Sequence, residues 1–375
     1  MNSKMNSVKA AVYAPYIYRW MLDFVSELSD LLGEVRFYSR GTYGNYPWKQ
    51  YEQCVRLMNK QRLLSAVIDY LRYRPDFIIL LGSETPLSLV LYLLSKIVGT
   101  NQVLIVEENR ERAFASVVLR YLARLKRLFV VATHRNAGVL VAESEPAKEY
   151  LLRMVCAPER IHVIPHGTNT VDFQPRPKSE QLAKLLGLSA SDLRASIVLF
   201  VGEFTDYKGA EFMAQAILTF PNPSGAIFLI PSQGSIFFKH KSQFNAMKNV
   251  NAYSSLDDTC MPHLYNLSNI VVVPSKLCDA GSSDRSPNSL IEAMACGKAV
   301  IGTAVGGIPT IMDQAGLLIQ PNDPAAIVQA ISQLIVDTQL REILGKEARM
   351  RAVTTLNNHV YARRIFELWK RAAHG

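Results

Sequence analysis

The chain is poor in cysteine, has no HExxH motif, and lacks an apolar run long enough to cross a bilayer. Cys54, Cys156, Cys260, Cys278 and Cys296 are odd in number, scattered, and form no CxxC pair. That excludes a disulfide framework or structural zinc and makes a reducing cytoplasm the expected compartment. His162 and His166 stand at HxxxH spacing, but across an expected strand and a proline turn rather than on one helix face, and there is no HExxH motif, so no metal is expected. There is no GxSxG elbow, no GxGxxG fingerprint and no Walker GxxxxGK[ST] loop. The most apolar window, Phe77–Val98, is interrupted by Glu84, Pro86 and Lys96, whereas a spanning helix needs roughly 20 uninterrupted apolar residues. The first residues, MNSKMNSVKAAVYAPY, hold no apolar h-region, so no secretory signal is expected. No internal repeat or low-complexity tract interrupts the pattern.

What remains is an ordinary globular composition, 49% hydrophobic and 19% charged over 375 residues, a length at which two domains are the default. The net charge of +9 attracts polyanions. Nucleic acid, an anionic membrane surface and a phosphorylated substrate all qualify, and charge alone does not choose. Apolar runs recur at Ala10–Tyr13, Phe77–Leu81, Val103–Val106, Gly138–Ala142, His162–Ile164, Ile197–Val201, Ala226–Ile230, Ile270–Val273 and Ala299–Thr303. Helical patterns lie between them, including Gln53–Tyr73, Ala113–Arg127 and Lys208–Thr219. Near-continuous apolar strands alternating with helices predict an α/β protein with parallel sheets covered on both faces. The polar, proline-bearing stretch 167–181 divides the series into two. The expected domains are 1–174, with a helix at 357–375 returning to it, and 175–356. Two doubly wound Rossmann-like domains facing each other across a cleft are expected, with ligands beyond the carboxyl ends of the strands.

Four constellations can carry chemistry. The richest is GSSDRSPNSLIEAMACGKAVIGTAVGG, residues 281–307, where a polar loop holding Asp284 leads to Ser286 and Pro287 and then to a short apolar helix ending at Gly297. Ser at the N-cap, Pro at the first helical position and Gly past the end suit such a helix. Its N-terminus is an anion seat. Glu292 is the one carboxylate in that helix and needs hydrogen-bond donors, either ligand hydroxyls or local groups of the protein. Second, Phe200–Gly209 ends a strand at Gly202, passes Glu203 and reaches Lys208 at a helix start. There a lysine either neutralises a phosphate or is simply solvated. Third, Ile105–Arg110 places Glu107, Glu108, Asn109 and Arg110 at a strand end, for acid/base work, hydroxyl binding or helix capping. Fourth, Arg110–Arg127 is a basic amphipathic stretch, suited to anionic lipid or to an ordinary surface.

Taken together these segments resemble the family 4 glycosyltransferases, the retaining group 1 enzymes with the GT-B fold. The carboxylate, seven residues and Glu of that family correspond to Asp284 through Glu292, followed by Ala293–Val300 and the turn Gly306–Pro309. Val141–Ser144, Val163–Gly167, Val201–Gly209, His263–Ser275 and Gly316–Asp323 resemble further family segments in the same order. The resemblance implies that Glu292 binds the donor ribose and that Lys208 sits on the diphosphate with backbone N–H groups at Asn288, Ser289 and Leu290. It also implies that Asp284 contacts the transferred sugar and that no metal or other cofactor is needed. Gly202, Glu203 and Ser286 complete the implied donor site, and Glu107 or Glu108 stands where the family has a histidine.

Three departures surround the implied reaction centre. Asp284 replaces the usual Glu, and Glu203 replaces the usual Arg. The glycine-rich loop after the first strand is replaced by Ala14–Trp20, in which Arg19 is a candidate substitute cation. Glu84, Asn109, Arg110 and His166 are further candidates for acceptor or diphosphate contacts. The expected function is retaining transfer of a sugar from a UDP- or GDP-linked donor to a hydroxyl acceptor. That acceptor is expected to be lipid-linked or a polysaccharide precursor at the cytoplasmic face of an anionic membrane, with no nucleic acid involved. The rival readings are a nucleotide-sugar-binding protein without turnover and a GT-B nucleotide-sugar epimerase.

Overall fold

A computed structural model describes residues 8–41, 51, 53–59, 61–81, 85–100, 102–107, 128, 130–154, 156–221, 225–231, 234–253, 256–277 and 286–374, with backbone alone at 86, 102–107 and 374. The chain divides into two compact units, Met1–Gly167 with Asn358–Gly375, and Thr168–Asn357. The first boundary falls before residue 168 rather than after 174, for two reasons. Thr168 N–H donates to the Leu356 carbonyl, and Phe173 is buried in the core of the second unit.

The first unit is built on seven parallel strands: β1 (Val8–Ala14), β2 (Gly33–Ser39), β3 (Val55–Leu57), β4 (Phe77–Leu81), β5 (Gln102–Glu107), β6 (Val139–Ala142) and β7 (Ile161–Val163). Their order across the sheet is β3-β2-β1-β4-β5-β6-β7. Side chains alternate between two cores, which is why the strands read as unbroken apolar runs. Ala10, Val12 and Ala14 enter one core, and Ala11 and Tyr13 the other. The helix Asn358–His374 packs on the helix Arg19–Leu32 through Tyr361 and Phe24, whose rings lie 5.0 Å apart, and Trp369 stacks on Phe77 at 4.6 Å.

The second unit has six parallel strands: β8 (Ile197–Phe200), β9 (Ile227–Ile230), β10 (Val250–Ala252), β11 (Ile270–Val273), β12 (Ala299–Thr303) and β13 (Leu317–Ile319). They run in the order β10-β9-β8-β11-β12-β13. Again Ile197 and Leu199 face one core while Val198 and Phe200 face the other. In each unit the strand order reverses once, between β1 and β4 and between β8 and β11.

The helix expected over Gln53–Tyr73 is corrected. Val55–Leu57 is a strand beside β2, and the helix begins at Leu63. The helix expected at Ala113–Arg127 lies outside the described residues. Among the described residues no helix is long and apolar enough to cross a membrane.

Candidate functional site

The β8/β11 pair of the second unit is the point from which its sheet runs out in opposite directions, so the loops leaving these strands diverge and open a crevice at their carboxyl ends. Both donor constellations are delivered there. After β8, Gly202 turns with φ +128, and the Lys208 stem passes 3.9 Å from the point a Cβ would occupy. Lys208 Nζ lies 5.3 Å from the centre of the Tyr207 ring. Glu203 is exposed, and its carbonyl accepts from the Thr205 N–H at 2.8 Å. Gly209 has φ +71 and lies so close to the next loop that a Cβ would come within 1.7 Å of the Pro274 carbonyl oxygen. Only glycine fits there.

Two further contacts tie the β8 loop to the β11 loop. The Lys276 N–H donates to the Tyr207 carbonyl at 3.1 Å, and Lys276 Nζ donates to both Asp206 carboxylate oxygens at 2.9 and 3.2 Å. Lys276 thus brings a second lysine to the ends of β8 and β11, held by Asp206. Neither Lys276 nor Asp206 stands out in the sequence, because each is an isolated charge in a polar loop.

The helix that follows is Asn288–Ala295. Its N-cap is Pro287, extended at ψ 114, and not Ser286 as the sequence suggested. Pro287 offers no side-chain cap, which leaves the first-turn N–H groups of this helix in the place where an anion binds. Leu290, Ile291, Ala293, Met294 and Ala295 are buried, which fixes the helix against the sheet and leaves Ser286, Asn288, Ser289 and Glu292 half-buried. Asn288 Oδ1 is shielded from solvent and has no hydrogen-bond partner among the described residues.

Glu292 is held from inside. The buried Tyr265, on the helix Met261–Leu267, donates its hydroxyl to Glu292 Oε2 at 2.8 Å. The protein therefore supplies one of the donors that the isolated carboxylate was expected to need, and it orients the side chain. Tyr265 was missed because 27 positions separate it from Glu292. Beyond Gly297, burial lowers the Lys298 ammonium to about 8 and pushes the Cys296 thiol up to about 12.

In the first unit, Arg19 opens the helix Arg19–Leu32 just after β1, half-buried. His166 is buried, stacked 4.2 Å from the Trp20 ring, with Nδ1 3.0 Å from the Gly167 carbonyl. It is a packed residue near the end of the unit. Glu107 is the last residue of β5, paired in register with Ala142. The acid after β6, Glu143, is buried, and it joins desolvation in raising the Tyr361 phenol well above its ordinary value. Asp284, Glu108, Glu84, Asn109 and Arg110 lie outside the described residues. A cavity of about 460 Å³ opens at the ends of β1 to β4, lined by Tyr16, Arg40, Met58, Asn59, Leu63, Thr85 and Leu87. None of these was singled out from the sequence. Among the described residues no three His, Cys, Asp or Glu side chains gather as a metal site would require.

Comparison with known proteins agrees with this geometry. The family model for "Glycosyl transferases group 1" matches residues 195–337, which hold both the β8 loop and the helix bearing Glu292. A D-inositol 3-phosphate glycosyltransferase from Xylanimonas cellulosilytica is 27% identical over 226 residues, covering 57% of this chain and 52% of that protein. The alpha-maltose-1-phosphate synthase of Mycolicibacterium smegmatis is 25% identical over 258 residues, covering 63% and 64%. The chain spans about half the length of most of the curated relatives it matches. Among solved structures, Anabaena Alr3699/HepE in complex with UDP-glucose superimposes with a TM-score of 0.75 at 16% identity, covering 97% of this chain and 99% of that one. Residues 195–337 therefore match the glycosyl transferases group 1 family, and the chain has the GT-B fold.

Proposed function

We propose that the protein transfers a glycosyl group from a nucleoside diphosphate sugar to a hydroxyl acceptor, with retention at the anomeric carbon and without a metal ion. One observation carries the reading: the lysine loop after β8 and the loop after β11 are locked together where the sheet of the second unit reverses, and the helix Asn288–Ala295 follows that second loop. A diphosphate there meets Lys208 and the N–H groups of Asn288, Ser289 and Leu290, which stabilise the charge that develops as the leaving group departs. Glu292, oriented by Tyr265, accepts hydrogen bonds from the ribose hydroxyls. Asp284 contacts the sugar. Lys276 takes over the charge that Glu203 cannot supply. In the step itself the bond from the anomeric carbon to the β-phosphate oxygen breaks, and the acceptor oxygen bonds on the same face. The acceptor proton passes to the departing phosphate.

The first unit takes the acceptor, with Arg19 at a helix start and Glu107 at the end of β5, and Glu108 as a further candidate. The +9 charge and the basic stretch 110–127 support a place on the cytoplasmic face of an anionic membrane, with an envelope or exopolysaccharide precursor as acceptor. UDP-glucose is the first donor to try, since Alr3699/HepE was solved in complex with it. A thermal-shift panel of UDP- and GDP-sugars tests the donor, because a ligand of the native state raises the midpoint. Lys208→Ala and Glu292→Ala are each expected to weaken donor binding more than about tenfold, which is roughly 1.4 kcal/mol. Unchanged affinity in both folded variants overturns the assignment. Product stereochemistry read by NMR tests retention, and donor epimerisation or binding without turnover refutes transfer.

A further inference from the structure

We infer that the cavity of the first unit selects an amphipathic anion, a hydroxyl acceptor with an apolar body and one phosphate or carboxylate. This rests on the reading of that unit as the acceptor side and narrows it to a substrate class. The cavity, about 460 Å³, has the size of a small-molecule pocket. It lies at the carboxyl ends of β1 to β4, where the strand order of this sheet reverses. Met58, Leu63, Leu87 and the Tyr16 ring give it apolar walls, and Tyr16 and Leu63 are exposed although large and apolar.

Its polar groups are unequal. Thr85 Oγ1 is engaged with the Tyr13 hydroxyl at 2.8 Å and with the Ser88 N–H at 3.1 Å, and Asn59 Oδ1 accepts from the Arg62 N–H at 3.0 Å. What is left toward the cavity is a set of donors: the Arg40 guanidinium, the Asn59 amide N–H groups and the Tyr16 hydroxyl. Among the described residues no carboxylate lines the cavity and Arg40 has no ion pair. A guanidinium with no ion pair among the described residues, beside apolar walls and neutral donors, matches an anionic group that only accepts. A neutral sugar alone would leave the walls unused and the guanidinium without a counter-charge.

The test is calorimetry on the full chain with octyl phosphate, 4-hydroxyphenylacetate and, as neutral control, 1-octanol. At least one anion is expected to bind ten times tighter than octanol. Which anion prevails separates a lipid-phosphate source from a small aromatic carboxylate. Arg40→Gln is expected to abolish that preference and leave octanol unaffected. Leu63→Asp, a substitution at an exposed position, is expected to exclude both anions. Equal binding of octanol and both anions, or a preference that survives Arg40→Gln, overturns the inference. UDP-glucose titrated in parallel keeps the two readings apart: loss of donor binding in the wild type strikes the proposed function, whereas loss of anion preference with donor binding intact strikes only the acceptor class.

Discussion

Replacing Gly209 by alanine is expected to separate the two loops that leave β8 and β11, the proposed donor site. At φ +71 a residue with a Cβ loses about 1–2 kcal/mol. That Cβ would also lie 1.7 Å from the Pro274 oxygen and 2.7 Å from its carbonyl carbon, where 3.4 Å is ordinary contact, so one backbone must retreat by more than an ångström. Forced overpacking of this kind adds roughly 1–3 kcal/mol, for a total of about 2–5. Gly187 is the control. Its φ is +66, yet nothing lies within 4 Å, so Gly187→Ala bears the backbone strain alone. For a unit of this size each kcal/mol moves the melting point by roughly 2–4 °C, so Gly209→Ala is expected to melt several degrees below Gly187→Ala. A displacement on the order of 1 Å at a reacting centre costs about a hundredfold in rate. UDP-glucose turnover is therefore expected to collapse in Gly209→Ala and to persist in Gly187→Ala. Calorimetric melting and a coupled UDP-release assay measure both effects. Coincident melting points, or full turnover in Gly209→Ala, refute the locking of the loops.

Three other outcomes follow from the same crevice and its supports. Tyr265→Phe removes a hydrogen bond to a charged acceptor, worth roughly 1.5–3 kcal/mol. It is expected to lower both the melting point and donor affinity, and a lower melting point with unchanged affinity separates Glu292 from the donor. Lys298 titrates near 8 when folded, against 10.5 in the unfolded chain. Below the folded value both states hold the proton and the folded state bears the burial cost; between the two values the unfolded chain binds more protons, so stability rises with pH. Lys298→Met is expected to remove that rise, and a melting-point difference between wild type and variant that stays flat across this window contradicts it. The Cys296 thiol, raised to about 12 and 1% exposed, is expected to resist iodoacetamide near pH 8 in the native state and to react after unfolding, as peptide mass mapping would show.

The fold was legible wherever burial on both faces made a strand continuously apolar. Phe77–Leu81 and Ile270–Val273 are read directly because every side chain enters a core. β2 was hidden by Glu34 and Arg36. The structure shows why these are tolerated: Arg36 pairs with Asp69 at 2.6 Å and lies 4.1 Å over the Tyr73 ring. β3, β10 and β13 are three-residue strands, β3 and β13 closing an edge and β10 the other edge of its sheet, too short for periodicity to register. In the donor site, the lysine loop and the Glu292 helix were visible because each is a local pattern. Their partners were not. Asp206 and Lys276 are 70 positions apart, and only the parallel pairing of β8 with β11 brings them together.

That pairing also explains why the chemistry collects where it does. A parallel sheet wound outward from one strand pair sends successive loops to opposite sides, so the ends of that pair are left uncovered by their own connections. In the second unit the pair is β8/β11, and the uncovered ends carry Lys208, Lys276 and the uncapped helix Asn288–Ala295. In the first unit it is β1/β4, and the uncovered ends carry Tyr16, Thr85 and, from the neighbouring β2, Arg40. Each cation lies beside backbone donors or apolar walls. On the proposed reading both units recognise anions, the diphosphate through Lys208 and Lys276 and the acceptor anion through Arg40. The positive charge of the chain, ambiguous as a bulk property, acquires two addresses. Substituting Arg40 should therefore change acceptor selection without touching donor affinity, and substituting Lys208 should do the reverse.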